Sequence, residues 1–270
     1  MTRHITILGM GYTGGRIAEA LRARGWRVTG VRRCAQPEIL SFDDEPAVMA
    51  AIADASHILS SVPPDAAGTD PVLNRYGAAI RASDAVWTGY LSSTGVYGDT
   101  GGAWVDESAP VGRGRRSARA DADRAWQSLG GDVRVFRLPG IYGPGRSALE
   151  RVRSGTAHRI ALPGQVFSRI HVDDIVRAIL ASFDGLPGVF NIADDHPCDQ
   201  NAVIDHACAL LGLTPPAILS LEDAGLSPQA RAFYAENRRV ANGRAKRLLG
   251  WVPIFPDYRA GLAACLSQRT

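Results

Sequence analysis

Residues 5–15, which read ITILGMGYTGG, decide the fold. The apolar run predicts a short strand, and Gly9, Gly11 and Gly14 follow it in the spacing G-x-G-x-x-G, before an amphipathic helical pattern. Glycines at these positions permit a tight turn, the approach of a pyrophosphate to the backbone, and close packing of helix on strand. The positive end of the helix then faces the phosphates. The stretch predicts a dinucleotide site contacted by Gly9, Gly11, Tyr12, Thr13 and Gly14.

Two arginines end the next predicted strand, at residues 26–31. Chains that bind NAD usually carry Asp or Glu near this point to hold the ribose 2′-hydroxyl. This chain carries Arg32 and Arg33 instead, and a guanidinium matches a phosphate with two parallel hydrogen bonds. The pair therefore predicts NADP, with NAD remaining open. The alternative is a solvated arginine pair at the end of a strand.

Composition excludes several classes of protein. The 270 residues are 46% hydrophobic and 21% charged, with a net charge of +3, which is typical of a globular protein and not of a nucleic-acid-binding one. No apolar stretch approaches the length that spans a bilayer, and the first strand begins at once, so we expect no membrane contact and no signal peptide. The four scattered cysteines predict reduced thiols, a cytoplasmic protein and no metal site.

Strand-like and helix-like segments alternate along the chain, which is typical of βαβ units with a parallel sheet. The predicted class is α/β, a Rossmann-type doubly wound parallel sheet with a small C-terminal substrate lobe. Residues 1–145 are expected to form the NADP-binding domain, completed by about 168–194. Residues 146–167 and 195–270 are expected to form most of the lobe. Residues 95–114 are expected to form a glycine-rich loop.

Four later stretches resemble the extended and atypical branches of the short-chain dehydrogenase/reductase superfamily, which includes epimerases and dehydratases that act on sugar nucleotides. They are residues 91–98 (LSSTGVYG), 137–145 (RLPGIYGPG), 169–175 (RIHVDDI) and 248–251 (LLGW). Together with the glycine loop they span nearly the whole chain in the order found in that superfamily. The resemblance implies a nicotinamide cofactor and a small-molecule substrate bound mainly by the C-terminal lobe. It also implies that two copies of the chain could pair as a homodimer.

The resemblance also implies roles for individual residues. Ser93 matches the catalytic Ser or Thr that hydrogen-bonds the substrate oxygen, and Tyr97 and Tyr142 are expected to line the pocket. His171 is expected to be a structural anchor at the start of a helix. Four residues are expected to lie along the cofactor, beside the adenine, the ribose or the nicotinamide: Asp43, Ser61, Val62 and Pro139.

The chain departs from the superfamily at its general acid, the tyrosine of Y-x-x-x-K. Lys246 is the only lysine in the chain, and Asn242 lies four residues before it, so the motif is absent. Aligning the Ala-Glu pair of the superfamily with Ala122-Asp123 places Arg119 at the lysine position and Arg115 at the tyrosine position. Arg119 could retain the electrostatic role and bind the ribose. Arg115 cannot donate a proton near neutral pH.

Two functional hypotheses follow. The first is an NADP-dependent oxidoreductase or epimerase-like enzyme in which Tyr97, Tyr142 or water supplies the proton. Arginines at 113, 115 and 116 would then favour an anionic carbonyl or sugar-type substrate, with Arg238 and Arg239 as further anion contacts. The second is a protein that binds NADP without turnover, as a sensor or a partner-binding module. Loss of the acid favours the second hypothesis, and the retained Ser93 favours the first.

Overall fold

A computed structural model describes residues 3–34, 36–65, 67–112 and 117–268. Within this part of the chain, seven strands form one parallel sheet in the order β11-β7-β5-β4-β1-β2-β3. The seven strands are β1 (His4–Leu8), β2 (Arg27–Arg32), β3 (Ile39–Ser41), β4 (His57–Ser60), β5 (Trp87–Ser93), β7 (Val133–Leu138) and β11 (Gly188–Asn191). The predicted parallel sheet is therefore confirmed.

Shorter strands pair outside the main sheet. They are β6 (Trp104–Val105) with β13 (Arg239–Val240), β8 (Gly140–Tyr142) with β10 (Arg169–His171), and β9 (Arg159–Ile160) with β12 (Ile218–Leu219). The glycine-rich loop predicted at 95–114 thus contains a short strand. It also contains the 3₁₀ turn Thr94–Tyr97 at its start. The partner of β6 is far away in the sequence, so no local pattern could reveal the pairing.

Helices cover both faces of the sheet. The helices are α1 (Tyr12–Arg22), α2 (Glu45–Ala53), α3 (Pro71–Ala82), α4 (Ser117–Gln127), α5 (Ala148–Arg153), α6 (Val172–Ala181), α7 (Gln200–Leu211), α8 (Pro228–Phe233), α9 (Gly243–Leu249) and α10 (Tyr258–Ser267). One core cluster joins α1, α6 and α9 to the sheet, and a second joins α2, α3 and α4 to its other face. This is the doubly wound arrangement. None of the described helices is long and apolar enough to cross a membrane.

The C-terminal region has a core of its own. Leu149, Ile204 and Leu262, from α5, α7 and α10, are buried together with Tyr142. The residues that follow α9 pack against α1 and α6 and not into this core. Trp251 is buried in the cluster on α1 and α6, and its indole N–H donates to the Asp174 carbonyl at 3.0 Å. This part of the C-terminal region therefore packs into the core of the main sheet.

The chain reverses its direction across the sheet at β1. From β1 it builds outward to β2 and β3, and then returns to the other side with β4, β5, β7 and β11. The crevice at the carboxyl ends of β1 and β4 is therefore a topological switch point, where open α/β sheets bind their ligands. Adjacent strands lie about 4.8 Å apart, which puts the ends of β1 and β5 roughly 10 Å from each other.

Candidate active site

A side chain would clash with neighbouring atoms at two of the three glycines in the loop. Gly9 has φ +105°, and a Cβ there would lie 2.5 Å from Ser61 Oγ. A Cβ on Gly14 would lie 2.5 Å from the Gly9 carbonyl oxygen. At Gly11 nothing lies within 4 Å of the Cβ position, so the space beside this residue is open. A side chain at Gly11 would project into this open space, where the sequence predicts the pyrophosphate.

Ser61 and Val62 support the loop from the neighbouring strand. The Ser61 hydroxyl donates to the Gly9 carbonyl at 2.5 Å, and the Ser61 N–H donates to the Leu8 carbonyl at 2.8 Å. Val62 Cγ2 lies 3.1 Å from the Cβ position of Gly9. The structure thus brings these two residues against the loop, at the edge where the sequence predicts the cofactor ribose.

The start of α1 presents free backbone donors and no opposing charge. Its N-cap is Gly11, with no capping side chain, and the first turn contains no acidic residue. Thr13 is buried in this turn. Tyr12 donates its hydroxyl to the Pro144 carbonyl at 3.1 Å, and burial raises the pKa of Tyr12 to about 12. Tyr12 therefore stays neutral and ties α1 to the segment after β8.

Arg32, Arg33 and Asp43 meet at the ends of β2 and β3. The Phe42 N–H donates to the Arg32 carbonyl at 2.6 Å, which holds the two strand ends together. Both arginine side chains are exposed, and neither forms an ion pair with any residue in the described part of the chain. Asp43 is bound by Arg75, whose Nη1 donates to Asp43 Oδ1 at 2.7 Å. Arg32 Nη1 donates to the neutral Gln36 Oε1 at 2.9 Å, so both guanidinium groups at this edge are exposed and without an acidic partner in the described residues.

Ser93 and Pro139 line one small cavity at the carboxyl ends of β5 and β7. We call it the serine cavity; its volume is about 120 Å³, and Gly140, Ser168, Phe233, Glu236 and Arg238 also line it. Ser93 is the N-cap of the 3₁₀ turn, where its Oγ accepts from the Gly95 N–H at 3.1 Å. This bond leaves the hydroxyl proton available for another acceptor. Tyrosine and histidine are absent from the described lining.

Tyr97, which the resemblance places in the lining of the substrate pocket, is not among the residues that line the serine cavity. Its side chain is 2% exposed. Its hydroxyl donates to Asn191 Oδ1 at 2.8 Å and accepts from Arg137 Nη1 at 2.9 Å. Burial raises the pKa of Tyr97. The 3₁₀ turn after Ser93 directs the ring inward, so Tyr97 has no path to a substrate here.

Tyr97 belongs to a buried ionic network that the sequence did not reveal. Arg137 binds Asp123 through two hydrogen bonds of 2.8 and 3.1 Å, and Ser92 Oγ donates to Asp123 Oδ2 at 2.6 Å. Asp123 is 0% exposed and Arg137 3%. The one available signal was an arginine in the apolar strand VRVFRL, since a buried arginine requires a buried partner.

Arg119 is half-buried at the start of α4. Its charge lies near Asp70 and Tyr90, where it partly offsets the rise that burial causes in the pKa of each group. Binding of the cofactor ribose by Arg119 stays a prediction. Arg115, together with the arginines at 113 and 116, lies outside the described residues, so its predicted place in the site is untested.

Tyr142 lines a second, larger cavity of about 390 Å³, which we call the arginine cavity after Arg146, Arg151 and Arg169 in its wall. The Tyr142 hydroxyl donates to the Asp257 carbonyl at 3.4 Å, and burial raises its pKa. The two cavities share Gly140 and Phe233 as lining residues and are therefore adjacent.

His171 is the N-cap of α6, as predicted. Its Nδ1 accepts from the Asp173 N–H at 3.2 Å, the side chain is 0% exposed, and burial lowers its pKa to about 4. The ring is therefore neutral at pH 7 and packs at a 5.2 Å centroid distance from Tyr142. Its surroundings assign it a structural role.

The basic residues near the C-terminus have different partners. Arg238 lines the serine cavity and donates to Glu236 Oε2 and to the Gly98 carbonyl, each at 2.7 Å. Arg239 donates to the Gly102 carbonyl. Lys246 donates to Asp195 Oδ1 at 2.6 Å. Lys246 lines neither cavity, so the only lysine of the chain does not replace the missing motif.

The sequence suggests that Asn242 caps α9, but its side chain does not bond to the start of that helix. Asn242 occupies the N-cap position but makes no capping hydrogen bond. Its Nδ2 donates instead to the Ala193 carbonyl at 2.8 Å and to Asp195 Oδ1 at 2.7 Å. Over the described ranges, no group of three or more His, Cys, Asp or Glu residues could hold a metal ion.

Comparison with known proteins supports this architecture. No family model matches the chain. A protein of unknown function from Silicibacter pomeroyi is 40% identical, and its solved structure matches with a TM-score of 0.87 over 99% of each chain. A 3-diazoavenalumate denitrifying reductase from a Streptomyces species is 28% identical over 298 residues, covering 93% of this chain and 96% of the reductase.

A more distant structure has the same fold. The human epimerase family protein SDR39U1, solved with NADPH, has a TM-score of 0.79 and 18% identity, covering 98% of this chain and 99% of its own. At this identity the likeness concerns the fold alone. The chain therefore belongs to the family of the Silicibacter pomeroyi protein, and it shares its fold with the human epimerase family protein.

Proposed function

We propose that the protein is an NADP-dependent oxidoreductase that reduces or oxidises a small substrate in the serine cavity. The observation that carries the proposal is the arrangement along one sheet edge. The open glycine loop ends β1, and the serine cavity lies at the ends of β5 and β7, with only β4 between β1 and β5. The roughly 10 Å between the ends of β1 and β5 suits a dinucleotide that lies along the crevice.

The choice of NADP depends on Arg32 and Arg33. Their guanidinium groups are exposed at the end of β2, without an acidic partner in the described part of the chain. A 2′-phosphate would supply the missing anion, and a guanidinium binds phosphate with charge-assisted hydrogen bonds. Asp43 is bound by Arg75 and so does not oppose a phosphate there.

When bound, the nicotinamide would supply or accept the hydride. The residues that would hold the cofactor are Gly9, Gly11 and Gly14, the start of α1, and the two arginines. Ser93 would orient the substrate oxygen, because its hydroxyl proton is free to donate while its Oγ accepts from Gly95 N–H. Since no described tyrosine lines the serine cavity, water is the proposed proton source.

A small organic molecule is the proposed substrate. The serine cavity holds only a few waters' volume, about 120 Å³, so the reacting part of the substrate must be small. The Streptomyces relative is named as a reductase, which supports reduction as the direction. Cytoplasmic location and assembly as a homodimer stay predictions.

The test is consumption of NADPH with a panel of small carbonyl compounds. We expect wild-type protein to consume NADPH with at least one of them. Ser93→Ala should lower kcat by roughly a hundredfold, the lower end of the effect of one positioned donor, while NADPH affinity is unchanged. Tyr97→Phe serves as the matched control, and its kcat should stay near the wild-type value because Tyr97 does not reach the serine cavity.

A second candidate function is binding of NADP without turnover. It is favoured by the described wall of the serine cavity, which has no tyrosine that could act as the general acid. A protein that binds NADP as a sensor would need the glycine loop and the arginines but not Ser93. Binding of NADPH without consumption across the whole panel, combined with no effect of Ser93→Ala on any property, would favour the sensor over the enzyme.

A further inference from the structure

The arginine cavity carries an excess of positive charge. Arg146, Arg151 and Arg169 line it, and Glu150 is the only acidic residue among its described lining. Glu150 is already engaged, because its Oε2 accepts from the Ser147 N–H and Oγ at 2.6 Å each. Three guanidinium groups thus face a single carboxylate that serves to cap α5.

Arg169 is a buried cation with neutral partners. Its side chain donates to the Phe167 and Cys198 carbonyls at 2.9 and 3.1 Å, and to Gln200 Oε1 at 3.0 Å. Asp194 interacts with Arg169 electrostatically, and burial raises the pKa of Asp194 to about 8. No carboxylate in the described part of the chain forms an ion pair with Arg169, whose hydrogen-bond partners are neutral.

Arg151 and Arg146 are available to a ligand. No described residue forms an ion pair or a hydrogen bond with the Arg151 guanidinium, and Arg151 is exposed at the wall of the cavity. Arg146 lies 5.5 Å above the Tyr12 ring and likewise has no carboxylate partner in the described ranges. Both remain charged, since an arginine does not lose its proton in a protein.

The rest of the wall is largely apolar. Tyr142, Phe233, Tyr258 and Leu262 line the cavity with the arginines. Gly140 and Phe233 line both cavities, so the two cavities lie side by side. A substrate that spans them would place its reacting group beside Ser93 and extend among aromatic side chains toward Arg151.

We infer that the arginine cavity recognises the oxyanion group of a small substrate with an apolar body, with Arg151 as its principal contact. The oxyanion is a carboxylate or a phosphate ester, both of which match the guanidinium fork. The inference rests on the proposed function, because it assigns the substrate class of the same site. It makes Arg151 a specificity-determining residue.

Calorimetric titration of the full chain tests this without any need for turnover. The probes are 3-phenylpropanoate, its neutral counterpart 3-phenylpropan-1-ol, phenyl phosphate and UDP, each with and without NADPH. The variants are Arg151→Gln, Arg151→Lys and Arg153→Gln. Arg153 is a matched control, because it lies on the same helix, pairs with Glu150 and does not line the cavity.

We expect at least one apolar anion to bind more tightly than the neutral alcohol. Arg151→Gln should weaken the binding of that anion by tenfold or more, whereas Arg153→Gln should not, and Arg151→Lys should fall between wild type and Arg151→Gln. Retained NADPH affinity in the variants shows that they fold. The difference between phenylpropanoate and phenyl phosphate identifies the oxyanion.

The inference is overturned if Arg151→Gln leaves the affinity for both apolar anions unchanged, or if the alcohol binds as tightly as they do. It is also overturned if UDP is the tightest probe and depends most on Arg151, since the cavity would then serve a nucleotide. Failure of the proposed function gives a different result, in which the apolar anion binds with Arg151 dependence but NADPH does not bind at all.

Discussion

The two halves of the crevice are built in different ways. At the ends of β1 and β2, the backbone makes the site: glycines leave space, the start of α1 offers N–H groups, and only Arg32 and Arg33 contribute charge. At the ends of β5 and β7, side chains from distant segments make it. We therefore expect the first half to be sensitive to substitution of its glycines and insensitive to substitution of most of its side chains. The second half should be sensitive to substitution of the buried side chains that contact one another there.

The difference teaches where to look for the altered chemistry of this chain. The half at the ends of β1 and β2 has a glycine loop and an open helix start that suit a dinucleotide, while the chain lacks the tyrosine and lysine motif. The other half contains the buried Arg137–Asp123 pair and the two adjacent cavities. We therefore expect any unusual chemistry to lie in this second half.

The largest expected effect is on the stability of the substrate half. Arg137→Ala would leave the fully buried Asp123 carboxylate without its ion-pair partner, which we expect to lower the free energy of unfolding by about 3–5 kcal/mol. Urea denaturation measures the loss. Arg124→Ala is the control, since Arg124 and Asp121 form an exposed pair that contributes about 1 kcal/mol or less. Equal losses of unfolding free energy in the two variants would show that the buried Arg137–Asp123 pair stabilises the protein no more than the exposed pair does.

The glycines allow the nucleotide half to be tested separately. Gly14→Ala should destabilise the protein by about 1–3 kcal/mol, because its Cβ would meet the Gly9 carbonyl oxygen. Gly11→Ala meets nothing within 4 Å, so it should retain the wild-type melting temperature and lose NADPH affinity. Gly15→Ala has equally open space within α1 and should gain up to about 1 kcal/mol. Unchanged NADPH affinity in Gly11→Ala would contradict the assigned pyrophosphate position.

Buried Asp194 gives the substrate side a pH dependence. Because burial raises its pKa to about 8, the folded state holds a proton that the unfolded state releases above about pH 4. This contribution to stability is complete at low pH and is lost as pH rises toward 8, by at most about 1.4 kcal/mol per pH unit. Asp194→Asn should remove this slope in denaturation curves measured between pH 4 and pH 8. An identical slope in wild type and variant would mean that Asp194 titrates normally.

The smallest effect should follow loss of the only lysine. Lys246→Ala removes a half-exposed ion pair with Asp195, which we expect to cost about 1 kcal/mol or less. NADPH affinity should stay at its wild-type value, because Lys246 lines neither cavity. A clear loss of cofactor affinity would place Lys246 in the site after all.

The sequence predicted the strand, the glycine turn and the helix at the start of the chain because their determinants are local. The strand at residues 5–8, the three glycines and the start of α1 follow one another directly, so a pattern of eleven residues specifies the geometry. The parallel sheet followed from the alternation of strand and helix patterns, whereas the order of its strands was seen only in the structure. His171 was also interpreted correctly, since an N-cap is a short-range feature.

The substrate half could not be predicted, because its contacts join residues that are remote in sequence. The Tyr97 hydroxyl meets Asn191, and β6 meets β13. Whether Tyr97 points into the crevice or the core depends on a 3₁₀ turn that no periodicity reports. The arginine cavity draws its charges from two separate segments, residues 146–151 and Arg169, so its net charge appears only in the folded chain.

Affinity for the two cofactors tests the central claim most directly. Dissociation constants for NADPH and NADH should be measured by calorimetry for the wild type and for the double variant Arg32→Ala/Arg33→Ala. We predict that wild type prefers NADPH by tenfold or more, and that the double variant loses this preference while its affinity for NADH is unchanged. Equal affinity of the wild type for NADPH and NADH would contradict the account.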